Sequence, residues 1–397
     1  MRSLRIGLVA GLVALTCAAM AADSRKTLKT ARMRSGPGVY FPLVTSIERG
    51  EKLFVLEKSD RWYKVKTAQG QQGWVSSKVF DTPKKPQGYG KVLTESGLSG
   101  ASTTVVTMAT RGLSSGPLSG QTGLDPLLRE FISRAAFRPE GLGDFMERLE
   151  PGACDTVLAA VEGDGQLEGD PDMDELERRL GLALAAKLLG ENTLVTDSVV
   201  DDYVNKVGMA IAMHSSRYDL SWRFLVLKKK EARALALPGG LVVLTSGLLE
   251  ELSDEAELAA VLGHAVAHVV LGHGAEKLEE ALESSASASE GKEQDERGKM
   301  VLVVEKAYAL LETPRSAGQE LEADALGAAL CVCAGYDGAA LGDVLGRAVD
   351  FEPAAADHPP ASVRIERIEK ICRAAGKRPG ARLKGRFEKK LTRRAGE

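Results

Sequence analysis

His264-Ala265-Val266-Ala267-His268 is the stretch on which the reading of this chain turns. It sits inside an apolar, helix-patterned run from Asp254 to Glu283. Residues four apart on a helix share one face, so two imidazoles at this spacing can reach a single ion. An isolated pair of this kind is a weak signal, because two core or solvated histidines produce it equally well. The surroundings strengthen it: the chain has only five histidines, and His264, His268 and His273 all fall within this run.

A second helical segment supplies Glu320-Leu321-Glu322-Ala323-Asp324. Two neutral imidazoles and one carboxylate leave the fourth position of a tetrahedral zinc ion open to water, as catalytic zinc sites do. Glu320 is the expected carboxylate ligand. Asp324, one turn later, is expected to accept the free ring N–H of a ligating histidine. Glu322 reads as a solvated helix charge, and His273 either as a residue that supports a ligand from behind or as an exposed helix-end residue. In the H-E-x-x-H motif the residue after the first histidine is the general base toward metal-bound water. Here that residue is Ala265, whose methyl group cannot take or return a proton. Glu257 lies eight residues upstream, roughly 12 Å along a helix, too far to replace it. A loss of activity at or beyond about 10⁴ is expected.

Further elements follow one another in a recognisable order: Tyr203-Val204-Asn205 with Gly208, Leu237-Pro238-Gly239-Gly240, Glu257 to His264, Glu320 to Asp324, His358-Pro359-Pro360 and Arg364-Ile365. On these, the segment from about Leu176 to Ile371 resembles the gluzincin zinc metallopeptidases that include the CAAX prenyl endopeptidases and the HtpX heat-shock peptidase. The resemblance implies that His264, His268 and Glu320 bind zinc. It also implies that the strand following Pro238, with Gly239, Gly240, Leu241, Val242 and Val243, borders the cleft and holds substrate by main-chain hydrogen bonds. That strand also reads as an ordinary buried one. His358 is read either as a fourth ligand or transition-state donor, or as a loop histidine in solvent. The sequence departs from the family pattern at Ala265 and at Arg233, where asparagine is usual.

Residues 1–21 read as a cleavable secretory signal: Arg2 and Arg5, an apolar core from Ile6, then Ala19-Met20-Ala21. Export to the periplasm or cell envelope is expected, with lipid attachment at Cys17 a poor alternative. No later run reaches the roughly 18 to 20 apolar residues of a membrane span. The formal charge of −3 becomes more acidic once Arg2 and Arg5 are removed; the basic C-terminal tail could touch anionic lipid, cell wall or nucleic acid, but no nucleic-acid partner is expected of an exported chain. Four cysteines then remain, Cys154, Cys331, Cys333 and Cys372, read as small buried apolar residues in preference to disulfide partners.

Residues 27–80 change to short alternating strands with Gly-rich turns and resemble a bacterial Src-homology-three domain. An exposed Trp62 or Tyr63 is the expected contact for a cell-wall or peptide ligand, the alternative being that these rings fill the barrel or dock on the following domain. A Gly/Ser/Thr/Pro-rich linker is expected over 81–123, a helical connecting segment over 124–170, the metallopeptidase domain over 171–375 and a basic tail over 376–397, solvated and loose at its end. Residues 283–299, poor in large apolar side chains, read as a surface insertion or a mobile flap. The expected fold is therefore α+β and multidomain: a small all-β barrel followed by a mainly helical zincin-type domain with a short sheet at the cleft. The expected function is a zinc-dependent endopeptidase of the envelope acting on proteins, inactive or strongly impaired because of Ala265. The alternative is a zinc-binding pseudopeptidase that holds polypeptide clients as a chaperone or scaffold.

Overall fold

The structure is a computed structural model and describes residues 23–59, 61–82, 88–96, 98, 141–161, 171–288, 296–347, 349, 351, 359–376 and 380–391. The signal segment, Cys17, His358 and the middle of the insertion at 289–295 lie outside the described residues.

The N-terminal part is all β. Strands β1 (Asp23–Lys26), β2 (Ala31–Arg34), β3 (Leu43–Ile47), β4 (Lys52–Ser59), β5 (Trp62–Thr67) and β6 (Gln72–Ser76) form one sheet in the order β1-β4-β5-β6-β2-β3. Alternate residues of these strands point inward, and Met33, Ile47, Leu53, Val55, Val65 and Val75 close the small core with Val79. Trp62 turns away from that core. It packs edge-on against Tyr218 at 5.8 Å and belongs to the core of the following domain. Tyr63 is half-buried and stacks on Phe80. Trp62 is therefore not the exposed peptide contact, because its ring docks on the following domain, while Tyr63 stays on the barrel's own surface. Around Trp62, Arg61 stacks on the Tyr218 ring at 4.1 Å, Lys78 pairs with Asp219 at 2.8 Å, and Arg32 donates to Ser221 Oγ at 2.7 Å.

Helix α1 (Gly88–Glu95) forms within the expected linker. Tyr89, Val92 and Leu93 fall at helical spacing, and their apolar face buries against later helices, which glycine-rich neighbours do not prevent. Helices α2 (Leu142–Met146) and α3 (Cys154–Ala160) follow, then α4 (Pro171–Glu191) and α5 (Ser198–Ala212). A three-stranded sheet comes next: β7 (Arg223–Leu227), β8 (Ala234–Leu237) and β9 (Leu241–Thr245), in the order β7-β9-β8. The remaining helices are α6 (Ser246–Glu251), α7 (Glu255–Leu271), α8 (Ala275–Ala288), α9 (Glu296–Leu310), α10 (Ala317–Cys333), α11 (Ala340–Gly346), α12 (Ala361–Ala374) and α13 (Lys384–Leu391). Ordered helix thus covers both described ends of the 283–299 segment.

Helix α7 is apolar all round and is the buried axis of the domain. Its partner is α10, and the two backbones meet at glycines. A Cβ on Gly327 would lie 2.7 Å from the His264 backbone nitrogen, and one on Gly263 would lie 2.9 Å from both the Gly327 carbonyl oxygen and Cys331 Sγ. Only hydrogen side chains permit that crossing. The start of α7 is clamped by charge. Glu255, fully buried, accepts from Tyr203 Oη at 2.9 Å, Tyr336 Oη at 2.7 Å and Arg386 Nε at 2.6 Å, while Arg382 Nε donates to Asp254 at 2.7 Å. These arginines belong to the segment expected to be a loose basic tail. A buried carboxylate needs counter-charge, and the tail supplies it.

Two cysteine readings are corrected. Cys154 and Cys333 form a disulfide that ties α3 to the end of α10, although 179 residues separate them in sequence. Cys331 is buried and free, and Cys372 is free and half-buried. Burial raises both thiols, Cys372 to about 12.

Candidate metal centre

Three local devices build the site. Asp254 caps α7 by accepting from the Glu257 backbone N–H at 3.0 Å, which starts the helix that carries His264 and His268 on one face. Gly272, at φ 70°, ends it in the left-handed conformation. The chain then turns so that His273 N–H donates to the His268 carbonyl at 3.0 Å, which brings the His273 ring back over His268. On the other side, Ser316 and Gln319 form a capping box at the start of α10, and Glu320 follows in the first turn.

His264 Nε2 and His268 Nε2 lie 2.9 Å apart. Glu320 Oε2 is 3.4 Å from the first and Oε1 is 3.7 Å from the second. Donor atoms about 2.0–2.2 Å from a tetrahedral ion stand roughly 3.3 Å from one another, so these separations suit one ion. The three residues are no more than 3% exposed.

The outer contacts assign the ring protons. His264 Nδ1 is 3.0 Å from Asp324 Oδ1, and a carboxylate only accepts, so Nδ1 carries the proton and Nε2 a lone pair. His268 Nδ1 is 2.8 Å from His273 Nδ1, and His273 Nε2 is 3.1 Å from Glu322 Oε2. That chain runs in one sense: His268 Nδ1–H donates to His273, and His273 Nε2–H donates to Glu322. Both Nε2 atoms then present lone pairs toward each other and toward a carboxylate. Such a cluster of electron-rich atoms fits a cation at its centre. Burial, then the charge of Arg315, lowers the pKa of His268, and the same causes push His273 down to about 3. Both rings are neutral at physiological pH, the form that binds metal.

Asp324 is fixed in turn by Arg364, whose Nε and Nη2 donate at 2.7 Å and 2.8 Å to its two oxygens. Arg364 comes from the first turn of α12 and also lies 3.5 Å from Glu320. The structure therefore brings together His264, His268, Glu320 and Asp324. It also gives roles to three residues that spacing alone left open or unassigned. His273 is buried, not an exposed helix end, because the Gly272 turn folds it inward. Glu322 is exposed on one side yet reaches His273. Arg364 was visible only as part of an ordered motif without a role, since its partner lies 40 residues away.

Ala265, 2% exposed, stands beside His264 on α7. Glu257 is unavailable to replace a base there. Both its oxygens are bound by Arg347 at 2.6 and 2.8 Å, and Oε2 also accepts from Ser253 N–H.

The expected substrate strand is corrected. Gly239 and Gly240, at φ 76° and 89°, form the turn of a hairpin, and Leu241, Val242 and Val243 belong to β9. That strand is central: β7 pairs with it in parallel and β8 antiparallel. Both its sides are paired within the sheet, so it has no edge to offer. The edge strand on the α7 side is β8, where Ala234 N–H donates to the Phe351 carbonyl at 2.9 Å. Phe351 also sets its ring edge-on to His264 at 5.8 Å.

Comparison with known proteins agrees with this architecture. Residues 198–372 match peptidase family M48, and residues 29–81 match the bacterial SH3 domain. The beta-barrel assembly-enhancing protease of Escherichia coli strain K12 is 30% identical over 109 residues, covering 28% of this chain and 22% of that protein. A putative beta-barrel assembly-enhancing protease of Vibrio cholerae is 26% identical over 209 residues, 49% of this chain and 42% of its own length. The mitochondrial metalloendopeptidase OMA1 of Arabidopsis thaliana is 32% identical over 155 residues, 37% of this chain and 30% of its own. The chain thus spans less than half the length of these relatives.

Proposed function

We propose that this chain, which carries a peptidase family M48 domain behind a bacterial SH3 domain, is a zinc-binding member of the metalloendopeptidases whose hydrolytic step is disabled by Ala265. The convergence of His264, His268 and Glu320 carries the reading. When bound, a zinc ion would supply Lewis-acid polarisation and acidify a water molecule. The chain's own residues hold the ligand set in place. Asp324, clamped by Arg364, keeps the His264 proton on Nδ1, and His273 with Glu322 does the same for His268. The polypeptide would add in extended form to the part of the β8 edge beyond Ala234, whose N–H pairs with Phe351, through backbone groups indifferent to most side chains. What is missing is an acceptor for the water proton and a donor to the leaving amine, because a methyl group fills the place of the general base.

Ala265→Glu tests this directly. The variant should cleave an unfolded substrate such as casein in a chelator-sensitive way, at least 10²-fold faster than the parent. A variant that binds zinc and still fails to cleave supports the second reading, favoured by the intact ligand set around Ala265: a pseudopeptidase that holds polypeptide clients without cutting them. A variant that neither binds zinc nor cleaves contradicts both. The Cys154–Cys333 disulfide suits an oxidising compartment, and we place the protein in the cell envelope. Among the described residues no single helix is long and apolar enough to cross a membrane.

A further inference from the structure

Between the barrel and the peptidase domain lies a cavity of about 440 Å³, lined by Arg32 and Arg34 of β2, Ser46 of β3, Arg178 of α4, and Ser221 and Arg223 at the start of β7. Among the described residues its wall carries four guanidinium groups and no carboxylate. A neighbouring cavity of about 340 Å³ shares Arg32, Arg34 and Arg178 and adds Arg179. It also includes Asp219, which Lys78 neutralises at 2.8 Å, and Glu48.

The polar contacts around the first cavity include neutral acceptors. Arg34 donates to the Phe41 carbonyl at 2.9 Å, Arg223 to the Trp222 carbonyl at 2.6 Å and Arg32 to Ser221 Oγ at 2.7 Å. Burial, then the charges of Arg32 and Arg223, pushes Arg34 down to about 10, and burial with Arg32 does the same to Arg223, which Asp201 opposes more weakly. Both remain protonated at neutral pH. Cations are therefore held at close quarters around a hollow in a partly desolvated place, where like charges repel more strongly than in water. Cavities of roughly 300–1,000 Å³ hold small molecules. Guanidinium forks match the oxygens of an oxyanion in pairs, and four forks with two serine hydroxyls exceed what a single planar carboxylate can use.

We propose that this cleft binds a phosphoryl group of at least two negative charges, either on a free phosphorylated compound or on a lipid headgroup, through Arg32, Arg34, Arg178 and Arg223. The ligand would bridge the two domains and touch Gly239, which lines both cavities and forms the turn that ends β8. The site stands apart from the metal centre and does not depend on it.

The full chain should be titrated calorimetrically with inorganic pyrophosphate in low salt. One saturable site is expected, weakened at least tenfold in Arg32→Gln and in Arg223→Gln while circular dichroism and melting stay unchanged. Arg223→Lys keeps the charge and lacks the fork, so it should also bind several-fold more weakly. Sedimentation with vesicles of phosphatidic acid, whose headgroup is a phosphomonoester able to carry two charges, separates the sources. Recruitment that needs Arg223 and is competed by pyrophosphate assigns the headgroup, and binding of pyrophosphate without recruitment assigns the free compound. No saturable binding at concentrations on the order of 1 mM, or binding that all three variants retain, overturns the proposal.

Discussion

Asp324 joins two demands at one carboxylate: it must accept a hydrogen bond from the His264 ring N–H, and both its oxygens must find partners while completely buried. Arg364 meets the second demand with a two-point grip. Removing that grip, and with it the contact to Glu320, should weaken the site without replacing a ligand. Arg364→Gln is expected to lower zinc affinity about 10- to 100-fold, and His273→Ala to act similarly through His268, both measurable by competition with a chromophoric chelator. Equal affinity in both variants would show that these outer contacts do not orient the ligands. The spacing of His264 and His268 and the position of Glu320 and Asp324 were legible because helical periodicity converts separation into direction. Arg364 was not, since it depends on a helix far along the chain, and spacing left His273 between a supporting and an exposed position because the left-handed turn at Gly272 decides it.

At the scale of elements, the crossing of α7 and α10 decides whether the donors meet at all. Gly327 packs against the His264 backbone, so a methyl group there must push the helices apart where separation matters most. Gly327→Ala is expected to destabilise the fold by roughly 1–3 kcal/mol and to reduce zinc binding more than Gly346→Ala, a site where an added Cβ meets nothing within 4 Å. Urea unfolding and zinc titration of the two variants check this, and equal effects would contradict it. The sheet teaches the complementary lesson. The strand expected over Leu241 to Leu249 is buried but ends at Thr245, where Ser246 opens α6, and no local pattern distinguishes a central strand from an edge. That distinction rests on β7 and β8 closing on both sides of β9, which is a property of topology. Helix α1 went unread for a simpler reason: one apolar turn is submerged in a glycine- and serine-rich neighbourhood.

In the whole molecule, remote segments fasten the helices of the candidate metal centre from outside. The disulfide joins α3 to the far end of α10, and Arg382 and Arg386 from the C-terminal part anchor the start of α7. Cys154→Ala should cost roughly 2–4 kcal/mol in denaturant unfolding, and a value near zero would mean that α3 is held by packing alone. Pairing across 179 residues was unreadable from cysteine spacing, whereas the division into a β module and a helical domain was plain from the change of period near residue 80. The docking of Trp62 on Tyr218 reflects a choice between two apolar destinations that composition does not rank. The central claim remains that His264, His268 and Glu320 hold one ion together. Elemental analysis of the purified chain after equilibration with zinc and removal of excess metal tests it most directly. One zinc per chain, lost in His268→Ala and in Glu320→Gln with the disulfide and helical content retained, is the predicted result. A chain that takes up no zinc, or that keeps it in both variants, would contradict the account.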